Sequence, residues 1–143
     1  MKFSLVMLEY LVCIVIGLVL AYFVNIKFLA TEIWLLIMGI IYNVKPIRSK
    51  DVPYFDVLSE SINNMIRLLL GWFIAVDTLL PPSSILIGYW FAGAFLMATK
   101  RFAEYRMIGD PSVAGLYRKS FAHYTETSLL VSSFFYAMCA TFF

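Results

Sequence analysis

The sequence predicts an all-α integral membrane protein, a bundle of five transmembrane helices. Three observations carry that expectation. Apolar residues make up 62% of the 143 positions and charged residues only 14%. A water-soluble domain of this size needs more polar surface than that to cover itself. Five apolar runs approach the length of a bilayer crossing. The basic residues collect between alternate runs instead of spreading along the chain.

The first run extends from Phe3 to Val24. It follows Met1-Lys2, as a secretory leader would. It is longer than a leader's apolar region and lacks an Ala-x-Ala cleavage pattern, so it is expected to stay in the membrane as a spanning helix. The second run covers Ile26 to about Tyr42. The third starts polar near Phe55 and is apolar from Met65 to Leu80. Pro81-Pro82-Ser83-Ser84 marks a tight turn, because tandem prolines cannot continue a helix. The fourth run covers Ile85 to Thr99 and the fifth about Thr127 to Phe143.

Positive charge then sets the orientation. Lys2, the group Lys45, Arg48 and Lys50, and the group Lys100, Arg101, Arg106, Arg118 and Lys119 all fall on one side of a five-crossing chain. The opposite side holds Lys27. The basic face is therefore expected in the cytoplasm, with the protein in the inner (cytoplasmic) membrane. The chain ends inside an apolar run, and its polar loops are dense for five helices. Residues 1–143 thus read as one transmembrane helical domain, a fragment or half of a larger one.

Several function classes drop out. The net charge is +2, and no basic run interleaved with aromatics suits a nucleic acid. Cys13 and Cys139 lie inside apolar runs without CxxC spacing, which reads as two buried hydrophobes and not a zinc site. His123 stands alone and reads as an interfacial polar residue. Glu9, Asp77 and Glu126 read as edge or solvated carboxylates, Glu126 in the first turn of the last helix.

The segment "YNVKPIRSKDVPYFDVLSESINNMIR", residues 42–67, is the exception to the oil around it. On a helix, Asp56, Glu60, Asn63 and Arg67 fall within about 60° of one another, flanked by Ser59 and Asn64. Val57, Leu58, Ile62, Met65 and Ile66 take the other face. Lipid cannot satisfy such a stripe, so it must face a water-filled cavity or pair within itself. In the second case Arg67 pairs with Glu60 or Asp56 and only fixes packing. The loop after the fourth run repeats the theme. Lys100 and Arg101 stand four and three residues before Glu104, as helical ion pairs would. Gly109 is a natural helix stop. Asp110-Pro111 then reads as the cap and first position of a short helix ending near Lys119. Cations over a membrane cavity suit a phosphate or diphosphate. Carboxylates among them suit Mg²⁺ bridging those phosphates. An apolar bundle suits a hydrocarbon tail.

This 42–67 segment resembles the tyrosine, proline, basic and aspartate signature after the fifth helix of UbiA-type intramembrane prenyltransferases. Tyr42, Pro46, Arg48, Lys50, Asp56 and Arg67 match it. "KRFAEYRMIGD", from Lys100, resembles the loop after the seventh helix in the branch that moves phosphoribose onto polyprenyl phosphate. The chain looks like helices four to eight of a nine-helix bundle, so the resemblance spans it all but covers about half of a typical member. The family's Asn-Asp-x-x-Asp-x-x-x-Asp motif is absent. Lys100, Arg101 and Glu104 stand where its second aspartate-rich motif would be.

The resemblance implies transfer of a prenyl group from a prenyl diphosphate to a small acceptor, with Mg²⁺ as cofactor. Tyr42 and Asp56 would be the catalytic residues, Tyr42 near the reacting carbon. Lys45, Arg48, Lys50, Asn63, Arg67, Lys100 and Arg101 would bind the substrate. Asp56 and Glu104 would face the metal. The implied partners are prenyl diphosphate or polyprenyl phosphate, the acceptor, membrane lipids and a missing N-terminal half. Two other readings stay open. One is phosphoribosyl-type transfer to a polyprenyl phosphate. The other is a non-catalytic membrane subunit that binds anionic lipid.

Overall fold

The computed structural model describes residues 3–143, leaving Lys2 of the charge pattern outside the described residues. Those residues form six α-helices: α1 (Phe3–Val24), α2 (Ile26–Asn43), α3 (Phe55–Ala75), α4 (Ser83–Ile108), α5 (Pro111–Tyr117) and α6 (Glu126–Phe142). Short 3₁₀ turns at Ser49–Asp51 and Lys119–His123 stand before α3 and α6. Each of the five apolar runs folds as a helix. Two of these helices, α1 and α2, are long and apolar enough to cross a membrane. α3 and α4 each join an apolar part to a charged one.

The long helices pack neighbour to neighbour in the order α1, α2, α3, α4, α6, with the α4–α6 contact the most extensive. Small residues permit the α3–α4 crossing. A Cβ placed on Gly93 would lie 2.7 Å from the Asn64 amide nitrogen and 3.4 Å from Ser61, and Ala94 and Ala98 are fully buried. With Val57 and Tyr136 they form one apolar core. A second core, Ala114, Phe121, Tyr124 and Leu129, seats α5 and its following turn against α6. Outside these cores the long helices leave large apolar side chains exposed, among them Leu11, Leu20, Ile37, Ile74, Leu96 and Phe134.

The joints follow local chemistry. Asn25 is the lone residue between α1 and α2. Its carboxamide oxygen caps α2 by accepting from Phe28 N at 2.7 Å, and its amide donates to Phe73 O at the far end of α3. Gly109 ends α4 at φ 69°, a left-handed value that glycine takes without strain. Asp110 caps α5, with Pro111 in its first turn. Its carboxyl is held below the usual range by the side-chain and backbone hydrogen bonds from Ser112. Thr125 and Ser128 form a reciprocal capping box at the start of α6.

One boundary differs from expectation. The third apolar run extends to Leu80, but α3 ends at Ala75. Leu80 precedes Pro81, which disfavours the helical region for it. Side chains satisfy the freed carbonyls: Lys27 donates to Asp77 O and Trp72 to Leu79 O. Likewise α5 ends at Tyr117, two residues short of Lys119, because Arg118 is extended.

Candidate anion site

α3 and α4 run antiparallel, so the first turns of α3 meet the last turns of α4. The end of α2 and the segment after α5 arrive at the same place. Asp56, on the first turn of α3, is fully buried. Its Oδ1 accepts from Tyr124 Oη at 2.8 Å. Its Oδ2 accepts from Ser120 Oγ at 3.0 Å and from Arg118 Nη1 at 3.5 Å. Arg101 Nε stands 3.4 Å from the same oxygen. Arg101 is itself 2% exposed. It also pairs with Glu60 and, at 3.4 Å, with Glu104.

Tyr42 completes this network. Its hydroxyl donates to Glu60 Oε2 at 2.8 Å and accepts from Arg118 Nη2 at 3.0 Å. The Tyr124 hydroxyl also accepts from the Tyr54 amide. Burial, and then the nearby Asp56 charge, push its proton affinity well above the usual phenol range. A buried charge is tolerable when it is paired and its remaining atoms are hydrogen-bonded. Asp56 meets both conditions.

Above this floor lies a cavity of about 490 Å³. The α2–α3 connection lines it with Arg48, Lys50 and Asp51, α3 with Glu60, and α4 with Lys100, Arg101 and Glu104. Leu116, Tyr117, Arg118 and Lys119 close the far wall. Six cations face three carboxylates, so the space is net positive. Arg48 and Tyr54, which bracket the Ser49–Asp51 turn, both hold positive φ, 37° and 65°. For side-chain-bearing residues that is a strained geometry, kept only where surroundings over-determine it. Here the Arg48–Asp51 ion pair at 3.4 Å and the Tyr54–Tyr124 contact fix the two ends.

The expected site residues divide. Arg48, Lys50, Lys100, Arg101 and Glu104 line the cavity, and Tyr42 joins the network at its floor. Lys45 is exposed outside it. Asn63 is also outside, with its Oδ1 buried and without a hydrogen bond. Arg67 does not join Asp56 or Glu60; it is exposed and makes no ion pair among the described residues. The reason is distance along the helix. Arg67 lies eleven residues beyond Asp56, on the order of 16 Å, whereas Arg101 of α4 arrives level with both carboxylates.

Sequence reasoning gave no site role to Arg118, Ser120 and Tyr124. Arg118 and Ser120 stand in the polar run "YRKS", but only folding shows them and Tyr124 converging on Asp56. A Mg²⁺ ion fits poorly here. Asp56 already accepts three hydrogen bonds and lies beside the Arg101 guanidinium, and Glu104 faces Lys100 and Arg101. Among the described residues no three His, Cys, Asp or Glu side chains are grouped to share a metal. Comparison with protein-family models, curated proteins and solved structures returns no match, so the reading of the site rests on this chain's own geometry.

Proposed function

We propose that the protein is an integral membrane protein of five spanning helices that binds the phosphorylated head of an isoprenoid lipid. In this reading it serves a prenyltransferase of the UbiA type. One observation carries the proposal: a net-positive cavity at the charged end of helices whose outer surfaces are apolar. Aqueous surface of that kind is costly, while a bilayer around it is not. The head would sit among the rim cations, and the tail would run along exposed apolar helix faces. The basic end would face the cytoplasm.

Within a transferase, the prenyl carbon–oxygen bond breaks and diphosphate leaves with the electron pair. The acceptor's nucleophilic atom takes the prenyl carbon and loses its proton. This chain's share is to hold the departing phosphate oxygens by charge and hydrogen bonds. Tyr42 and Arg118 would orient the head from below. Asp56 and Glu104 themselves stand against cations, Asp56 against Arg101 and Arg118 and Glu104 against Lys100 and Arg101. The same observation favours a second reading, a lipid-binding subunit whose transfer chemistry needs a partner carrying an aspartate-rich motif.

The test uses the full chain in nanodiscs with labelled prenyl diphosphate. Saturable retention of the label supports the proposal. Transfer to a small acceptor, alone or with such a partner, supports its enzymatic form. Transfer from a phosphoribosyl donor to polyprenyl phosphate assigns the chain to the other chemistry. Absence of any retention overturns the reading.

A further inference from the structure

We infer that Lys50 and Lys119 form a two-lysine clamp selective for a doubly charged phosphate, a phosphomonoester or terminal diphosphate. This rests on the reading of the cavity as a lipid-phosphate site and names which of its cations do the gripping.

The inference comes from counting which charges are already spent. Arg48 is paired with Asp51 at 3.4 Å, and Lys100 lies 3.9 Å from Glu104. Arg101 is clasped by Glu60. Arg118 reaches Asp56. Four cations thus meet four carboxylates. Lys50 and Lys119 are left over. Lys50 donates to the neutral Asn43 carboxamide at 3.1 Å, and Lys119 makes no ion pair among the described residues. Both line the cavity. They stand on the two 3₁₀ turns, Ser49–Asp51 and Lys119–His123, which touch each other. The uncompensated charge is therefore plus two, presented from two short rigid turns. A phosphomonoester carries close to two negative charges at neutral pH, whereas a phosphodiester carries one. The spent cations keep the walls rigid and contribute hydrogen bonds. The unspent ones set how much negative charge the site accepts.

The experiment uses the purified full chain with phosphatidylcholine vesicles doped with either phosphatidic acid, a monoester, or phosphatidylglycerol, a diester. Inorganic pyrophosphate serves as the soluble competitor. Wild type should bind phosphatidic acid vesicles about tenfold more tightly than phosphatidylglycerol vesicles, the worth of one charge-assisted contact. Lys50→Ala and Lys119→Ala should each lose about tenfold, and the pair should lose more than either alone, short of simple additivity because the two share one phosphate. Arg106→Ala, on an exposed ion pair with Glu126, should change neither. Thermal unfolding of the double variant should match wild type, because both lysines are solvated. Competition by pyrophosphate would place recognition in the phosphate itself; binding of vesicles alone would add a need for the tail, and either result supports the clamp. Equal binding of the two lipids, or a double variant that keeps the monoester preference, overturns the clamp and leaves lipid-phosphate binding standing. A wild type that binds neither vesicle nor pyrophosphate overturns both.

Discussion

Two arginines on neighbouring helices show how differently the same side chain can be used here. Arg101 is buried at the charged end of α4, with Asp56, Glu60 and Glu104 around it. Arg67 lies midway along α3, exposed and without an ion pair among the described residues. The register of α2 on α3 is fixed by Tyr42 bonding Glu60 and by Asn25 bonding Phe73. One arginine is part of the scaffold, and the other is a surface charge on an apolar helix. An intramembrane charge is read by default as functional; the comparison teaches that burial and partners decide which kind of function.

The largest effect should therefore come from Arg101. Arg101→Ala removes the cation shared by Asp56, Glu60 and Glu104, leaving Arg118 on Asp56, Lys100 on Glu104 and, among the described residues, no cation on Glu60. Breaking a buried pair in this way costs about 3–5 kcal/mol, read as a large fall in the unfolding midpoint in detergent. Arg67→Ala should cost nothing and can gain stability, because it removes from an exposed apolar helix face a charge unpaired among the described residues. Equal losses would dissolve the distinction between the two. Arg101→Met combined with Glu60→Gln should recover part of the loss, because the uncompensated charge goes with its partner.

Tyr124 offers the next test. Its hydroxyl donates to Asp56 and accepts from the Tyr54 amide. Tyr124→Phe should cost about 1–3 kcal/mol, the desolvation penalty of partners left unmet. The group also gives the charged end a pH signature. Its folded-state proton affinity is raised above that of an ordinary phenol by burial and by the neighbouring Asp56 charge. A group shifted upward contributes its stability in full below its unfolded value and loses it as pH climbs through the alkaline range. Wild type should thus lose stability above about pH 10, and Tyr124→Phe should lose less over the same interval. Parallel alkaline profiles would remove Tyr124 from the network.

Much of the frame could be read from residue order. Apolar runs, tandem prolines, Gly109 and Asp110-Pro111 each act locally, so helix existence and most boundaries were legible. The stripe on α3 was legible too, because its period is a property of one helix. What it meets is not local. Arg101 comes from α4, and Arg118, Ser120 and Tyr124 come from beyond α5. No spacing rule links them to Asp56 over more than forty residues. For the same reason Arg67 looked equivalent to Arg101 until the antiparallel register of α3 and α4 separated them. The carboxylate chemistry of Asp56 is visible in sequence, while the groups that surround it in the fold are not.

Glycines sharpen the contrast between packed and open helix faces. Gly93 sits against Asn64 on the α3–α4 crossing, while Gly39 on α2 has nothing within 4 Å of an added Cβ. Gly93→Ala should cost about 1 kcal/mol, since the Asn64 amide is the flexible end of a side chain and can give way. Gly39→Ala should instead gain up to about 1 kcal/mol from helix propensity. Opposite signs in thermal unfolding would confirm where the helices touch, and a gain at both positions would mean the crossing is looser than described.

The smallest effect belongs to the ion pair Arg106–Glu126, which spans 3.6 Å with both side chains more than half exposed. It joins α4 to the first turn of α6, as Arg101 joins α4 to α3, but water reaches it. Exposed pairs gain little over hydration and lose that little to salt. Arg106→Ala should therefore shift stability by less than about 0.5 kcal/mol, and raising the ionic strength should erase even that. Arg101→Ala should keep its full cost in the same salt series. If the two variants respond to salt alike, Arg101 is hydrated in solution, and the buried floor beneath the cavity loses its physical basis.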